Sequence, residues 1–192
     1  MQTRVNINYV FSLAFALNAL AFSLFLQAGI ANPLQQREVV NSEFGTMNVE
    51  SIKEIIERQP NLSTALGMEF ISTPDDDLCM ATMKVDERNR QPFGFLSGGA
   101  SLALAENVAG VGSSALCPGK ICVGISVSGS HVKAVAEGDT VTALAHLVQK
   151  GRTLHVWNVE ITDSSGDIIS VVHVTNYVVN PKVKEKSNKG VK

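Results

Sequence analysis

Between Arg90 and Lys120 the chain carries one charged side chain, Glu106. The residues around it are small or apolar: Gly98 to Leu116 reads GGASLALAENVAGVGSSAL, and Pro118-Gly119 closes it. A helix that is apolar nearly all round cannot lie on a surface, so this one must be buried as the centre of the fold. Its many small side chains let other elements approach closely. Whatever else the chain forms has to wrap around it.

The wrapping is legible on both sides. Downstream, the stretches 121–132, 139–149, 152–163 and 167–179 are rich in Val, Ile and Thr and read as strands. The turns Glu137-Gly138-Asp139, Lys150-Gly151-Arg152 and Ser164 to Asp167 are short, which predicts hairpins and an antiparallel meander. Upstream, 50–58 places Ile52, Ile55 and Ile56 on one face of a short amphipathic helix. Leu66 to Ser72 and Leu78 to Val85 read as strands, separated by the turn residues Pro74 to Asp77. Gln91-Pro92-Phe93-Gly94 interrupts regular structure before the central helix. The expected class is α+β, an antiparallel sheet wrapped around one long helix. On 153–161, Trp157, Val159 and Ile161 share one face, and Leu154 and Val156 share the other. The second apolar face calls for a second burial partner, such as another subunit.

Two terminal segments stand apart. Tyr9 to Leu26 is almost wholly apolar, with Arg4 before it and Ala28-Gly29-Ile30-Ala31 after it. This is the pattern of a secretory signal. The run is also just long enough to span a bilayer, although Asn18 in its middle opposes that reading. An upstream start is a third reading, because Met47 opens a good helix start and everything a compact domain needs follows it. We therefore take 1–46 as a leader and linker outside the fold, and 47–181 as the domain. The Lys-rich stretch 182–192 is taken as a solvated tail.

Composition removes several function classes. A net charge of −2 with pI near 6.1 excludes a strongly basic nucleic-acid binder. Aromatic residues make up 6%, too few for base-stacking platforms. Cys79, Cys117 and Cys122 are odd in number and lack Cys-x-x-Cys spacing, so free thiols are expected. His131, His146, His155 and His173 all fall on expected strands without metal-ligand spacing, and no metal is expected. There is no Gly-x-Ser-x-Gly elbow for a serine hydrolase. Gly110-Val-Gly112-Ser-Ser-Ala115 imitates a dinucleotide fingerprint but lies within a helix rather than after a strand.

Chemistry concentrates on the central helix. A carboxylate placed in an apolar helix costs several kcal/mol unless it is paired or working. Glu106 is therefore either tied to a donor or functional. Gly98-Gly99 opens the same helix, where free amides and the helix dipole favour an anion or oxyanion. Glu106 lies two turns further on, an arrangement suited to acyl transfer.

From Ala81 to Gly112 the sequence ATMKVDERNRQPFGFLSGGASLALAENVAGVG resembles the hotdog-fold acyl-CoA thioesterases. The branch it resembles hydrolyses aryl-CoA esters, 1,4-dihydroxy-2-naphthoyl-CoA of menaquinone synthesis among them. The resemblance extends over 50–180. It implies thioester hydrolysis without a cofactor, dimers or dimers of dimers, and sites shared between subunits. By the same resemblance Glu106 is the nucleophile or the general base, and Gln91 positions substrate or water. Gly98 then polarises the thioester carbonyl through its N–H. His131 and Lys133 match positions that approach the CoA nucleotide; Lys150 and Arg152, in a hairpin turn, are further candidates for its phosphates. Ser97 departs from the branch, which usually has His there, and Gly110 stands where relatives often have a small hydroxyl residue. The change at Ser97 keeps a non-catalytic acyl-CoA-binding module as the alternative. A hotdog hydratase is disfavoured because no His precedes the helix. Because CoA thioesters are intracellular, a cytoplasmic domain is expected, with anchoring or export through 1–31 as the other possibility.

Overall fold

The computed structural model describes residues 45–181. Residues 1–44, with the apolar run of the leader, and the tail from 182 lie outside the described residues. Helix α1 is Glu50–Glu57 and α2 is Leu62–Leu66. Strands β1 (Met68–Ile71) and β2 (Leu78–Lys84) follow, then the central helix α3 (Gly98–Leu116). The chain continues as β3 (Ile121–His131), β4 (Thr140–Lys150), β5 (Leu154–Thr162) and β6 (Ile168–Val179). One antiparallel sheet of six strands runs in the order β1-β2-β4-β5-β6-β3. Its concave face wraps α3, as expected.

The strands show why. Alternate residues of β1, β2, β4 and β5 are buried, Phe70, Ala81, Ala143 and Val159 among them. Period-two burial presses one face of each strand against the helix. Trp157 is fully buried, and its indole N–H donates to Ser113 Oγ at 2.9 Å. The same hydroxyl accepts from Asn176 Nδ2 at 3.0 Å. Gly112 makes room for that ring: a Cβ there would stand 2.8 Å from Trp157 Cη2 and 3.0 Å from Cys79 Cβ. The glycine pattern that imitates a nucleotide fingerprint is thus a packing device.

Two expectations need correction. The meander holds only for β4, β5 and β6. The segment after β3 does not return as a hairpin, because β3 pairs with β6 at one edge while β4 lies between β2 and β5. Residues 132–139 instead cross over the start of α3, where Leu96 N–H donates to Val135 O and Val132 N–H to Ile169 O. Gly138, at φ 100°, turns the chain onto the end of β2. The glycine turn reads as a hairpin, but Gly138 N–H donates to Val85 O and Val85 N–H to Asp139 O, which seats β4 beside β2 instead of β3.

The second correction concerns 62–67. The strand begins only at Met68, because Leu62–Leu66 is helical. Asn61 Oδ1 accepts from Thr64 N–H, and Thr64 Oγ1 accepts from Asn61 N–H, which caps the turn reciprocally. Gly67 ends it in the left-handed region at φ 71°. On α1, Ile52 and Ile56 pack against the core, whereas Ile55 is 57% exposed.

Candidate active site

Helix α3 carries two separate cavities. The larger, of about 640 Å³, lies between α1–α2 and the middle of α3. Ile52, Ile56 and Val111 give it apolar walls, and Glu106 faces it beside Gly110 and Gly124. Glu106 is partly buried and accepts no hydrogen bond from the other described residues. Its Oε1 occupies the space that a Cβ on Gly124 would need, so any larger residue there would push the carboxylate aside. Asn107, the next residue on α3, is bound by Ser63 Oγ at 2.8 Å, which fastens α2 over the cavity.

The smaller cavity, of about 340 Å³, sits at the start of α3. Gln91, Gly98, His131, Lys133 and Ser170 line it. Gln91 is delivered by a built loop. Buried Asn89 donates to Lys84 O at 2.7 Å and accepts from Asp86 N–H at 3.1 Å. The turn then closes with Gln91 N–H to Phe95 O at 2.7 Å and Gly94 N–H to Gln91 O at 3.0 Å. Arg88 pairs with Asp86 and holds that carboxyl down to about 2. Ser97 is the N-cap of α3, but its hydroxyl makes no capping bond. Among the described residues no acceptor takes the N–H of Gly98, Gly99 or Ala100. These amides point out of the helix toward solvent or a ligand.

The sequence-predicted residues therefore fall into three groups. Gln91, Gly98, His131 and Lys133 share one cavity, and Glu106 faces the other. Lys150 and Arg152 line neither; Lys150 ends β4, paired with His155, and Arg152 sits in the turn that follows. Lys133 is already engaged: its Nζ bonds Asp163 Oδ2 at 2.5 Å and Asp167 Oδ2 at 2.7 Å. Hydrogen bonding to Asp163, then Asp167, holds the ammonium above its ordinary range, and Lys133 in turn holds Asp163 low. The sequence reading missed Ser170, whose hydroxyl lies 2.9 Å from His131 Nδ1, and Gly124. Strand alternation would have placed Ser170 on an inner face; nothing in the sequence marks Gly124.

Cys79, Cys117 and Cys122 are free thiols. Among the described residues no cluster of His, Cys, Asp and Glu is suited to a metal, and no helix is long and apolar enough to cross a membrane.

Known proteins share this arrangement of sheet and helix. A family model described as the thioesterase superfamily matches residues 93–170. ComA2 of Bacillus subtilis, which carries the name of an esterase, is 41% identical over 120 residues, 62% of this chain and 94% of its own length. The chain belongs to the thioesterase superfamily. A solved thioesterase from Haemophilus influenzae superposes with a TM-score of 0.64 at 33% identity, covering 72% of this chain and 94% of that one. The 1,4-dihydroxy-2-naphthoyl-CoA hydrolase of Escherichia coli is 35% identical over 120 residues, 62% of this chain and 87% of its own. The fold is thus a hotdog fold and the chain is a thioester hydrolase. The binding-module alternative gives way.

Proposed function

We propose that this hydrolase cleaves acyl-CoA, with an aryl-CoA as its substrate class, into CoA and a carboxylic acid. The observation that carries the reading is Glu106. It is the one carboxylate of α3, and it faces a cavity with apolar walls on one side and room for an acyl group. The likeness to the naphthoyl-CoA hydrolase of Escherichia coli supports the aryl preference and a place beside menaquinone synthesis.

In this reading the thioester carbonyl oxygen rests on the Gly98 amide, where the free N–H groups and the helix dipole stabilise the oxyanion. Gln91 positions the substrate or the water, and Ser97 lies at the same helix entry. Glu106 either takes a proton from the attacking water or attacks the carbonyl carbon itself. The C–S bond breaks as the tetrahedral adduct collapses, and the CoA thiolate leaves to be protonated. His131, Lys133, Lys150 and Arg152 are the candidates for the CoA phosphates. No metal or further cofactor enters the scheme.

One chain keeps Gln91 and Gly98 in a different cavity from Glu106, so we propose a homodimer, or a dimer of dimers, whose sites lie between copies. The edge of β3 supports this. Ile121, Val123 and Ile125 there are 52%, 42% and 58% exposed, and β3 has no strand on its outer side among the described residues. We take 47–181 as the working domain, placed in the cytoplasm where CoA thioesters occur, with 1–46 as leader and 182–192 as tail.

The test is thiol release from a panel of aryl- and fatty acyl-CoAs by the full chain and its Glu106→Gln variant. Turnover by the parent that the variant loses supports the scheme. Turnover that survives in the variant overturns the role of Glu106. A preference for fatty acyl groups overturns the aryl assignment.

A further inference from the structure

We propose that His131 works at the thioester carbonyl rather than at the CoA nucleotide, donating a second hydrogen bond beside the Gly98 amide. The inference rests on the hydrolase scheme above and reassigns one of its residues. His131 ends β3, where 132–139 begins to cross the start of α3. Its ring lies directly against Gly98: a Cβ on that residue would stand 2.6 Å from His131 Nε2 and 2.7 Å from Cδ2. The missing side chain at Gly98 leaves the imidazole its place against the start of the helix.

The other ring nitrogen fixes which proton is offered. His131 Nδ1 lies 2.9 Å from Ser170 Oγ, and Ser170 is 1% exposed. Among the described residues that hydroxyl has no other partner. A buried hydroxyl proton left without an acceptor is costly, and Nδ1 is the acceptor within reach. Ser170 therefore donates to Nδ1, and the neutral ring carries its proton on Nε2, the nitrogen lying against Gly98. His131 and Gly98, whose amide is unaccepted, then line one cavity together with Gln91. A carbonyl oxygen seated there would meet two kinds of donor, one from the helix and one from the sheet. Ser170 is a positioning residue: it sets the tautomer and touches no substrate.

The experiment measures kcat and KM for the parent, His131→Ala, His131→Gln and Ser170→Ala on two substrates. One is the acyl-CoA that the parent turns over best; the other is the N-acetylcysteamine thioester of the same acid, which lacks the nucleotide. His131→Ala is expected to lower kcat by about 100-fold on both, with KM little changed, as for loss of one oxyanion donor. His131→Gln, which keeps an N–H donor, should recover part of the rate, and Ser170→Ala should lower kcat less, again equally on both. A rise in KM on the CoA ester that vanishes on the short thioester would overturn the proposal and return His131 to the nucleotide. Unchanged kinetics in His131→Ala would overturn it as well. If the parent cleaves neither thioester, the hydrolase scheme itself fails and the proposal falls with it.

Discussion

The two cavities along α3 are built from opposite materials. At the helix start, the cavity gathers hydrogen-bond donors: the free amide of Gly98, the Gln91 carboxamide and the His131 ring. At mid-helix, the cavity holds the Glu106 carboxylate between isoleucines on one side and neutral polar side chains such as Asn61 and Asn107 on the other. Thioester hydrolysis needs both at one carbonyl, donors for the oxygen and an acceptor or nucleophile at the carbon. A single chain holds them apart. In the proposed dimer each chain contributes half of two sites, and a lone copy is chemically incomplete.

Mixing two inactive chains would break or sharpen that comparison most. Glu106→Gln and Gln91→Ala each remove one half of the proposed site, and each alone should lose nearly all activity. Refolded together, random pairing should leave about a quarter of the sites intact, so activity should recover to roughly that fraction of the parent. No recovery on mixing would show that each chain completes its own site.

Gly124→Ala tests the acceptor half alone. The new methyl would collide with Glu106 Oε1, and the flexible carboxylate end is the part able to move. A displacement near 1 Å at the reacting centre lowers rates by about 100-fold. We expect a fall of that order in kcat with the melting temperature little changed. Full activity in the variant would mean that the position of Glu106 beside β3 is unimportant.

Gly112→Ala probes the packing that holds the two halves on one rigid helix. Its Cβ would press on Trp157 and Cys79, both fully buried, neither with free space to retreat. Overpacking of this kind costs about 1–3 kcal/mol, to be read from urea or thermal unfolding. A neutral result would show that β5 can shift away from α3.

These particulars also show what sequence could and could not reveal. The central helix, its one carboxylate and the strand alternation are local patterns, and each was legible. Met68 to Ile71, β2 and α3 follow period two or an unbroken apolar run. Strand order was not legible, since the turn at Gly138 has the same residues whether the chain doubles back or crosses the helix. Lys133 shows the same limit at the site. Its ion pairs with Asp163 and Asp167, thirty or more residues on, are contacts that no local pattern announces. The contact between His131 and Ser170 is likewise long-range, as is the fit of Gly124 to Glu106. Helix α2 is the opposite case: Asn61, Thr64 and Gly67 supply both of its caps, and the apolar residues beside them hid the signal.

The smallest expected effect lies at the far end of α3, away from both cavities. His155 is 1% exposed, with Nε2 3.8 Å from Cys117 Sγ, and its Nδ1 lacks a well-formed hydrogen bond. Burial, then the charge of Lys150, lowers its pKa below the ordinary 6.5. Between the folded and unfolded values the unfolded chain binds the extra proton, so stability rises with pH. The contribution of the neutral ring is fully present above about pH 6.5 and is lost as the pH falls toward the lower folded value. Denaturant midpoints measured from pH 7.5 down to 5 should therefore fall more steeply for the parent than for His155→Gln, which has no proton to gain. Equal slopes would mean that the ring is solvated on the timescale of unfolding and that this end of α3 opens to water, unlike the rest of the core.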